Sequence, residues 1–317
     1  MFTSPQEVLD FIKNEEVVFV DIRFTDMPGV QQHFNLPAKA IDDDFFVNGQ
    51  LFDGSSIRGF QGIAESDMQL IPDVQSAYVD PFRIEKTLVI ICSIVNPRTG
   101  EPYHRDPRGV AERAEAYLQS TGIADTAFFA SEAEFFVFED VRYQVEPNSV
   151  FFKIDSDEAP WNTGRKEEGG NLGNKTPVKG GYFPVSPVDK QADLRDAMCV
   201  AMDEVGLEVE RSHHEVGAAG QAEINYKFDT LTKAADDLLK FKYVIKGTAD
   251  AWGKSVTFMP KPVFGDNGSG MHCHQSLWQD GEPLFYDERG YANLSDTARW
   301  YIGGLIEHSS AVLAFTN

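Results

Sequence analysis

Three segments of this sequence combine carboxylates and imidazoles at spacings that could do chemistry. In "FFASEAEFFVF" (Phe128–Phe138), Glu132 and Glu134 interrupt a run that is otherwise almost wholly apolar. Residues two apart on a strand point to the same face, which predicts that Glu132 and Glu134 share a face with Phe128, Ala130, Phe136 and Phe138. Two carboxylates about 6 Å apart at an effective dielectric near 20 repel by roughly 3 kcal/mol, and desolvation adds several kcal/mol per ion. Protonation, a basic partner or a metal cation could relieve this. No Lys or Arg lies between Thr126 and Val141, so a basic partner would have to come from elsewhere.

The second segment, "HHEVGAAGQAEIN", places Glu215 and Glu223 on either side of a small, turn-forming spacer, Gly217-Ala218-Ala219-Gly220. Strand, tight loop and strand would bring both acids to one side. In the third, "NGSGMHCHQSLW", an extended backbone puts His272, His274, Ser276 and Trp278 on one face after a Gly-rich turn. One such histidine can ligate a metal while its neighbour binds substrate. Four Glu and one His form an oxygen-rich set that suits Mg²⁺ or Mn²⁺ better than zinc, and those ions bring phosphates with them. The pattern predicts two divalent ions and a phosphorylated substrate. "GGNLGNKT" is not a phosphate loop, because Asn174 stands where the motif before Lys175 needs Gly. Phosphoryl transfer would then rely on metals.

The elements that must hold these segments are legible in outline. A β-rich first hundred residues begin with the alternating "VVFVDIRF", the turn "DMPG" and "VQQHFNL", which predict a hairpin, and include the continuous apolar strand Thr87–Val95. "NPRTGEP" (Asn96–Pro102) reads as a boundary, dividing the chain into domains at 1–100 and 101–317. Beyond it, Asp106-Pro107 opens a helix that stops at Gly122. Further helices are predicted from Asp189 to Gly206 and from Lys233 to Trp252, and strands over Thr126–Asp140, Leu207–Ser212, Ala222–Phe228, Ser255–Pro260 and Ser269–Trp278. Glu146–Pro187, rich in Gly, Pro and Asn, reads as long loops. An apolar helical pattern from about Ala298 runs into "AVLAFTN" without a cap, which predicts a domain continuing past Asn317.

Composition excludes several classes. A chain of 317 residues with 28 Lys+Arg against 50 Asp+Glu carries a net charge of −22, which repels nucleic acid. Cys92, Cys199 and Cys273 are odd in number and form no CxxC, against a disulfide framework or structural zinc. No basic, apolar leader and no membrane-length apolar run is present, so a cytoplasmic protein without membrane contact is expected.

Together "LFDGSSIRGF", "SEAEFF", "KGGYFPVSP", "HHEVGAAGQAEIN" and "FMPKPVFGDNGSGMHCHQS", in this order and spacing, resemble the bacterial type I glutamine synthetases along the whole chain. The resemblance implies an α+β protein: a β-grasp-like N-terminal domain, then a catalytic α+β domain with a curved antiparallel sheet. It implies a dodecamer of two hexameric rings with active sites between subunits. The reaction would be ATP-dependent ligation of ammonia to the glutamate side-chain carboxylate through a γ-glutamyl phosphate. By matching positions, Glu134, Glu215 and Glu223 would hold one metal, and Glu132 and His272 another, with a third ligand from beyond Asn317. Glu210, Phe228, His274 and Ser276 would line the ATP site, and Asn267 and Gly268 the glutamate loop. Asp53, with Ser56 and a Tyr182 from across the subunit boundary, would bind ammonium, Asp53 also accepting its proton. Without the resemblance, Asp53-Gly54-Ser55-Ser56 reads as an Asx turn. The alternatives are a glutamate–amine ligase of the same fold, against which the small carboxylate site of "DGSS" favours ammonium, and a non-catalytic relative, against which the five metal-type ligands argue; a metallohydrolase fits less well, as no HExxH is present.

Overall fold

The computed structural model describes residues 2–164, 166 and 170–316. Arg165 and Glu167–Gly169, inside the stretch read as loop, lie outside the described residues, as does Asn317. The chain forms two compact units, one of Met1–Ile123 with Glu204–Gly206 and Thr230–Lys240, the other of the remainder.

The first unit is built on a sheet of order β2-β1-β6-β4-β3, with β5 beside β6. Its strands are β1 (Phe19–Thr25), β2 (Gln31–Pro37), β3 (Gln50–Asp53), β4 (Asp67–Pro72), β5 (Tyr78–Val79) and β6 (Thr87–Val95). Only the β1–β6 pairing among the described ones in this sheet is parallel. Val20, Ile22 and Phe24 of β1 pack with Leu88, Ile90, Cys92 and Ile94 of β6 and with Val8 of α1 (Pro5–Asn14) and Phe45 of α2 (Asp43–Asn48). Val89 and Ile91, on the other face of β6, are buried as well, so a continuous apolar strand is what this position requires. The helix α3 (Pro107–Thr121) starts where its Asp106 cap predicts, the carboxylate accepting from the Arg108 amide, and ends at Gly122 with φ +67°. Arg108 in turn joins Asp73, Glu112 and Asp236.

The second unit holds α4 (Ala192–Glu204, except its last residue), the C-terminal half of α5 (Leu231–Ala251), α6 (Asp296–Glu307), α7 (Ser309–Val312) and the strands that matter for chemistry. The expected single strand over Thr126–Asp140 is broken. It runs as β7 (Thr126–Ala133) and β8 (Phe135–Phe138), with Glu134 in neither. The physical reason is a change of partner. β7 pairs with β15 (Met271–Gln279), whereas β8 pairs with β12 (Gln221–Tyr226) and β14 (Ser255–Thr257). The Glu134 amide bridges the change by donating to the Gly270 carbonyl at 3.1 Å. β12 is also the partner of β11 (Val209–His214), and β13 (Asp229–Thr230) follows it in the chain. A short β16 (Glu282–Pro283) completes the β15 edge.

The loop expected over Glu146–Pro187 also needs correction at its start. β9 (Asp140–Glu146) and β10 (Ser149–Asp155) form a hairpin around Pro147-Asn148, a two-residue turn that masks a strand of alternating residues. Val141, Tyr143, Val145, Val150 and Phe152 share one face of it, all exposed.

Phe136 and Phe138 of β8 lie stacked with centroids 6.0 Å apart and form a buried cluster with Ala159, Ala219 and Val263. A Cβ on Gly217 would lie 2.8 Å from the Phe136 ring, so this ring is the floor under the Gly217–Gly220 loop. Truncating Phe136 to Ala should cost about 3–5 kcal/mol, read as a lowered denaturation midpoint with unchanged slope. Proteolysis within 215–221 should accelerate at the same time.

Candidate metal and substrate site

The acids of the second unit converge because two ladders each set a histidine directly opposite a glutamate. In β7–β15 the register pairs His272 with Glu132. In β11–β12 it pairs His213 with Glu223. Directly opposed residues share a face with Cβ atoms close enough for side chains to meet. Glu132 accordingly contacts His272 Nδ1 and His274 Nε2 through its Oε2, each at 3.2 Å, while the guanidinium of Arg211 stands 3.9 Å from Oε1. Burial pushes the Glu132 carboxyl up, but His274 and then His272 outweigh it and hold the group below the usual range.

Glu215 and Glu223 are nearly buried and flank His213, whose Nδ1 is 3.4 Å from one and whose Nε2 is 3.9 Å from the other. One ligand atom from each of these three residues lies within 4.8 Å of the other two. Tyr182 and Phe183 close the far side of the imidazole, with centroids 5.7 and 4.8 Å from it. His213 escaped the sequence reading, although its position two before Glu215 on an extended segment was a usable signal.

Glu134, outside both ladders, is fixed by hydrogen bonds to Oε2 from Gln221 Nε2 at 2.7 Å and from the Gly270 amide at 3.2 Å. Burial first, and the facing charges of Glu215 and Glu223 next, raise its carboxyl above the usual range. Among the described residues no Lys or Arg lies within ion-pair distance of Glu134, Glu215 or Glu223. This donor set, oxygen-rich with one or two imidazoles and lacking any basic side chain, fits a hard divalent cation.

Gln221 and Asp266 also escaped the sequence reading. Asp266, buried, accepts from the amides of Ala218 (2.7 Å), Asn267 (2.9 Å) and Lys179 (3.0 Å), tying three loops together. Behind Glu215, His214 donates from Nδ1 to the Glu215 carbonyl at 2.7 Å and meets Glu158 Oε2 at 2.8 Å through Nε2.

Ala130, Ser131, Glu132, Glu210, Arg211, Asn225, Tyr226 and His274 line one cavity of about 340 Å³. Phe228 is half-exposed and meets Phe128 edge-on at 5.2 Å, and Phe128 meets Trp278 at 5.6 Å. Ser276 accepts from Trp278 Nε1 at 2.9 Å. The Gly268 carbonyl accepts from Gln221 Nε2 at 2.9 Å, and a Cβ at Gly268 would stand 2.4 Å from the Pro260 carbonyl oxygen. Glycine is required there by the chain's own backbone. Asp53 and Ser56 belong to the first unit. There Asp53 accepts from the Ser55 amide at 2.9 Å, the Ser55 hydroxyl at 2.6 Å and the Ser56 hydroxyl at 3.4 Å. These bonds, the Ser55 hydroxyl foremost, hold its carboxyl below the usual range. This is the Asx turn the sequence allowed.

Two known family models match the chain. Residues 104–317 match the model described as "Glutamine synthetase, catalytic domain", and residues 16–97 the one described as "Glutamine synthetase, beta-Grasp domain". The chain belongs to the glutamine synthetase family. The glutamine synthetase of Streptomyces coelicolor is 62% identical over 317 residues, and that of Frankia alni 58%. All of this chain aligns with each, over 66% and 67% of their respective lengths. The chain thus spans about two thirds of these curated relatives. A cryo-EM structure of Plasmodium falciparum glutamine synthetase superposes with a TM-score of 0.91 at 29% identity, covering 100% of this chain and 62% of that one. A GmaS/ADP complex gives 0.76 at 27% identity, covering 95% and 62%. The fold is therefore a β-grasp N-terminal domain followed by a glutamine synthetase catalytic domain, an α+β protein as expected.

The raised Glu134 carboxyl makes the stability of the fold depend on pH. A carboxyl titrating higher folded than unfolded favours the protonated fold. Its ionisation therefore destabilises the fold as pH rises from the unfolded value through the folded one. Glu134→Gln should raise the melting temperature of the metal-free protein at pH 7. The gain should vanish below about pH 4, as thermal unfolding across a pH series would reveal.

Proposed function

We propose that this chain forms the metal-, ATP- and glutamate-binding body of a glutamate–ammonia ligase, with ammonium bound at Asp53. The observation that carries the reading is the convergence of Glu215 and Glu223 on His213, with Glu134 near enough for both acids to raise its carboxyl and no Lys or Arg within ion-pair distance among the described residues. Divalent cations, Mg²⁺ or Mn²⁺, would be held by Glu134, Glu215 and Glu223 on one side and by Glu132 and His272 on the other. When bound they would neutralise the phosphates of ATP and the charge that develops in transfer. Family membership and the ADP complex of the GmaS relative support a nucleotide at the cavity containing Glu210 and His274, with Phe228 and Ser276 beside it.

In this reading Asn267 and Gly268 present backbone to the substrate glutamate. Its side-chain carboxylate attacks the γ-phosphorus of ATP, releasing ADP and giving a γ-glutamyl phosphate. Ammonia then attacks the acyl carbon and expels phosphate. Asp53, held ionised by its serine hydrogen bonds, draws in the ammonium cation with Ser56 and Tyr182 and takes up the proton that ammonium must lose before it can attack. The division into an N-terminal domain over 1–100 and a catalytic domain over 101–317 belongs to the same reading and is supported by where the two family models meet.

Phosphate release from ATP with Mg²⁺ or Mn²⁺ should require glutamate and ammonium together, and Glu223→Ala should lower it by at least about 100-fold. Release that proceeds as well with a polyamine in place of ammonium would instead make this an amine ligase.

A homo-oligomer, a dodecamer of two hexameric rings, is proposed as the working form, and a cytoplasmic location with it. Among the described residues no helix is long and apolar enough to cross a membrane. The exposed apolar face of the β9–β10 hairpin supports self-association, since a second copy would cover it. Tyr143→Asp with Phe152→Asp should shift the sedimentation coefficient to smaller species without changing the circular dichroism spectrum.

A further inference from the structure

Gln221 is buried at the start of β12, and both ends of its amide are engaged. Its Oε1 accepts from the Gly217 amide at 2.7 Å, and its Nε2 donates to Glu134 Oε2 at 2.7 Å and to the Gly268 carbonyl at 2.9 Å. One donor on one side and two acceptors on the other fix which end is nitrogen. We propose that Gln221 is a positioning residue that couples the Glu134 carboxylate to the Asn267–Gly268 loop, so that cation binding and ordering of that loop are one event.

The geometry gives the coupling its route. Glu134 belongs to no strand, so its side-chain direction is not set by a ladder. Oε2 is occupied by Gln221 and the Gly270 amide, while Oε1 takes no hydrogen bond among the described residues and is the oxygen left for a cation. The same Nε2 holds the carbonyl of Gly268, whose Cα runs so close to Pro260 that a Cβ there would stand 2.4 Å from the Pro260 carbonyl oxygen. Pulling Glu134 onto a cation therefore pulls on the amide, and through it on the loop. The other end of Gln221 anchors Gly217, in the turn between Glu215 and Glu223. A single side chain so touches the acid of one sheet junction, the turn joining two further acids, and the loop assigned to glutamate. The inference rests on the cation reading given above.

The test uses Mn²⁺ alone. In the parent protein, Mn²⁺ should slow hydrogen exchange of the amides at 266–270. Gln221→Met keeps the volume and loses the donors; it should bind Mn²⁺ roughly 10-fold or more weakly and, at saturating Mn²⁺, show no such slowing. If Gln221→Met does not fold, Gln221→Glu, which sets an acceptor against Glu134, is measured in the same way with the same expectation. Affinity within about threefold of the parent, or slowing that persists at saturation, overturns the coupling. Glu134→Gln is the control. If it weakens Mn²⁺ binding while the Gln221 variant does not, the coupling alone fails. If it leaves affinity unchanged, the cation reading fails and the coupling with it.

Discussion

Like charges gathered on neighbouring strands must be held against their own repulsion, and the architecture of the second unit follows from how this is done. Glu134, Glu215 and Glu223 face one another closely enough for the latter two to raise the carboxyl of the first. The backbone ladders supply the restraint. Registers that set His272 against Glu132 and His213 against Glu223 give two of the acids an imidazole each at no cost in ladder hydrogen bonds. Glu134 sits where one sheet gives way to another and is restrained by the Gln221 amide and the Gly270 backbone. Rigidity is bought by buried aromatics beneath and by the Asp266 carboxylate, which collects amides from three loops.

The first unit manages charge differently. Arg23 lies between Asp21 and Asp80, and Arg108 gathers Asp73, Glu112 and Asp236. Every one of those carboxylates has a guanidinium. The contrast between these arginine-matched acids and Glu134, Glu215 and Glu223, which no Lys or Arg approaches among the described residues, is what directs attention to the latter as the seat of cation chemistry. Matched acids are structural ion pairs. Unmatched ones in a compact protein are a standing cost that a bound ion removes.

Much of this was legible in the sequence, and the exceptions share a cause. Alternation and capping located β1, β6, α3 and α5 within a few residues, because each is set by local periodicity or by a terminal residue such as Asp106 or Gly122. Glu132, Glu134, Glu215, Glu223 and His272 stood out as charges in apolar or glycine-rich surroundings. What local pattern does not carry is a change of partner. The break at Glu134 occurs because β8 leaves β15's sheet for β12 and β14, which no residue between Thr126 and Asp140 announces. Gln221 and Asp266 were missed for a related reason. Each is an ordinary polar residue by type, and its role is defined by loops distant in sequence.

The two glycines beneath and beside the site limit how the sequence can drift. Gly217 is closed by the Phe136 ring and the Gln221 amide, and Gly268 by the Pro260 carbonyl, a backbone atom that no rotamer change can move. Space at these points is defined by atoms that are missing. Substitution there has no small first step, since even alanine must displace a neighbour, whereas an exposed residue such as Glu210 can change gradually. Divergence of specificity in chains of this kind is therefore channelled to the outward rim, leaving the floor of the cleft to vary only by concerted replacement.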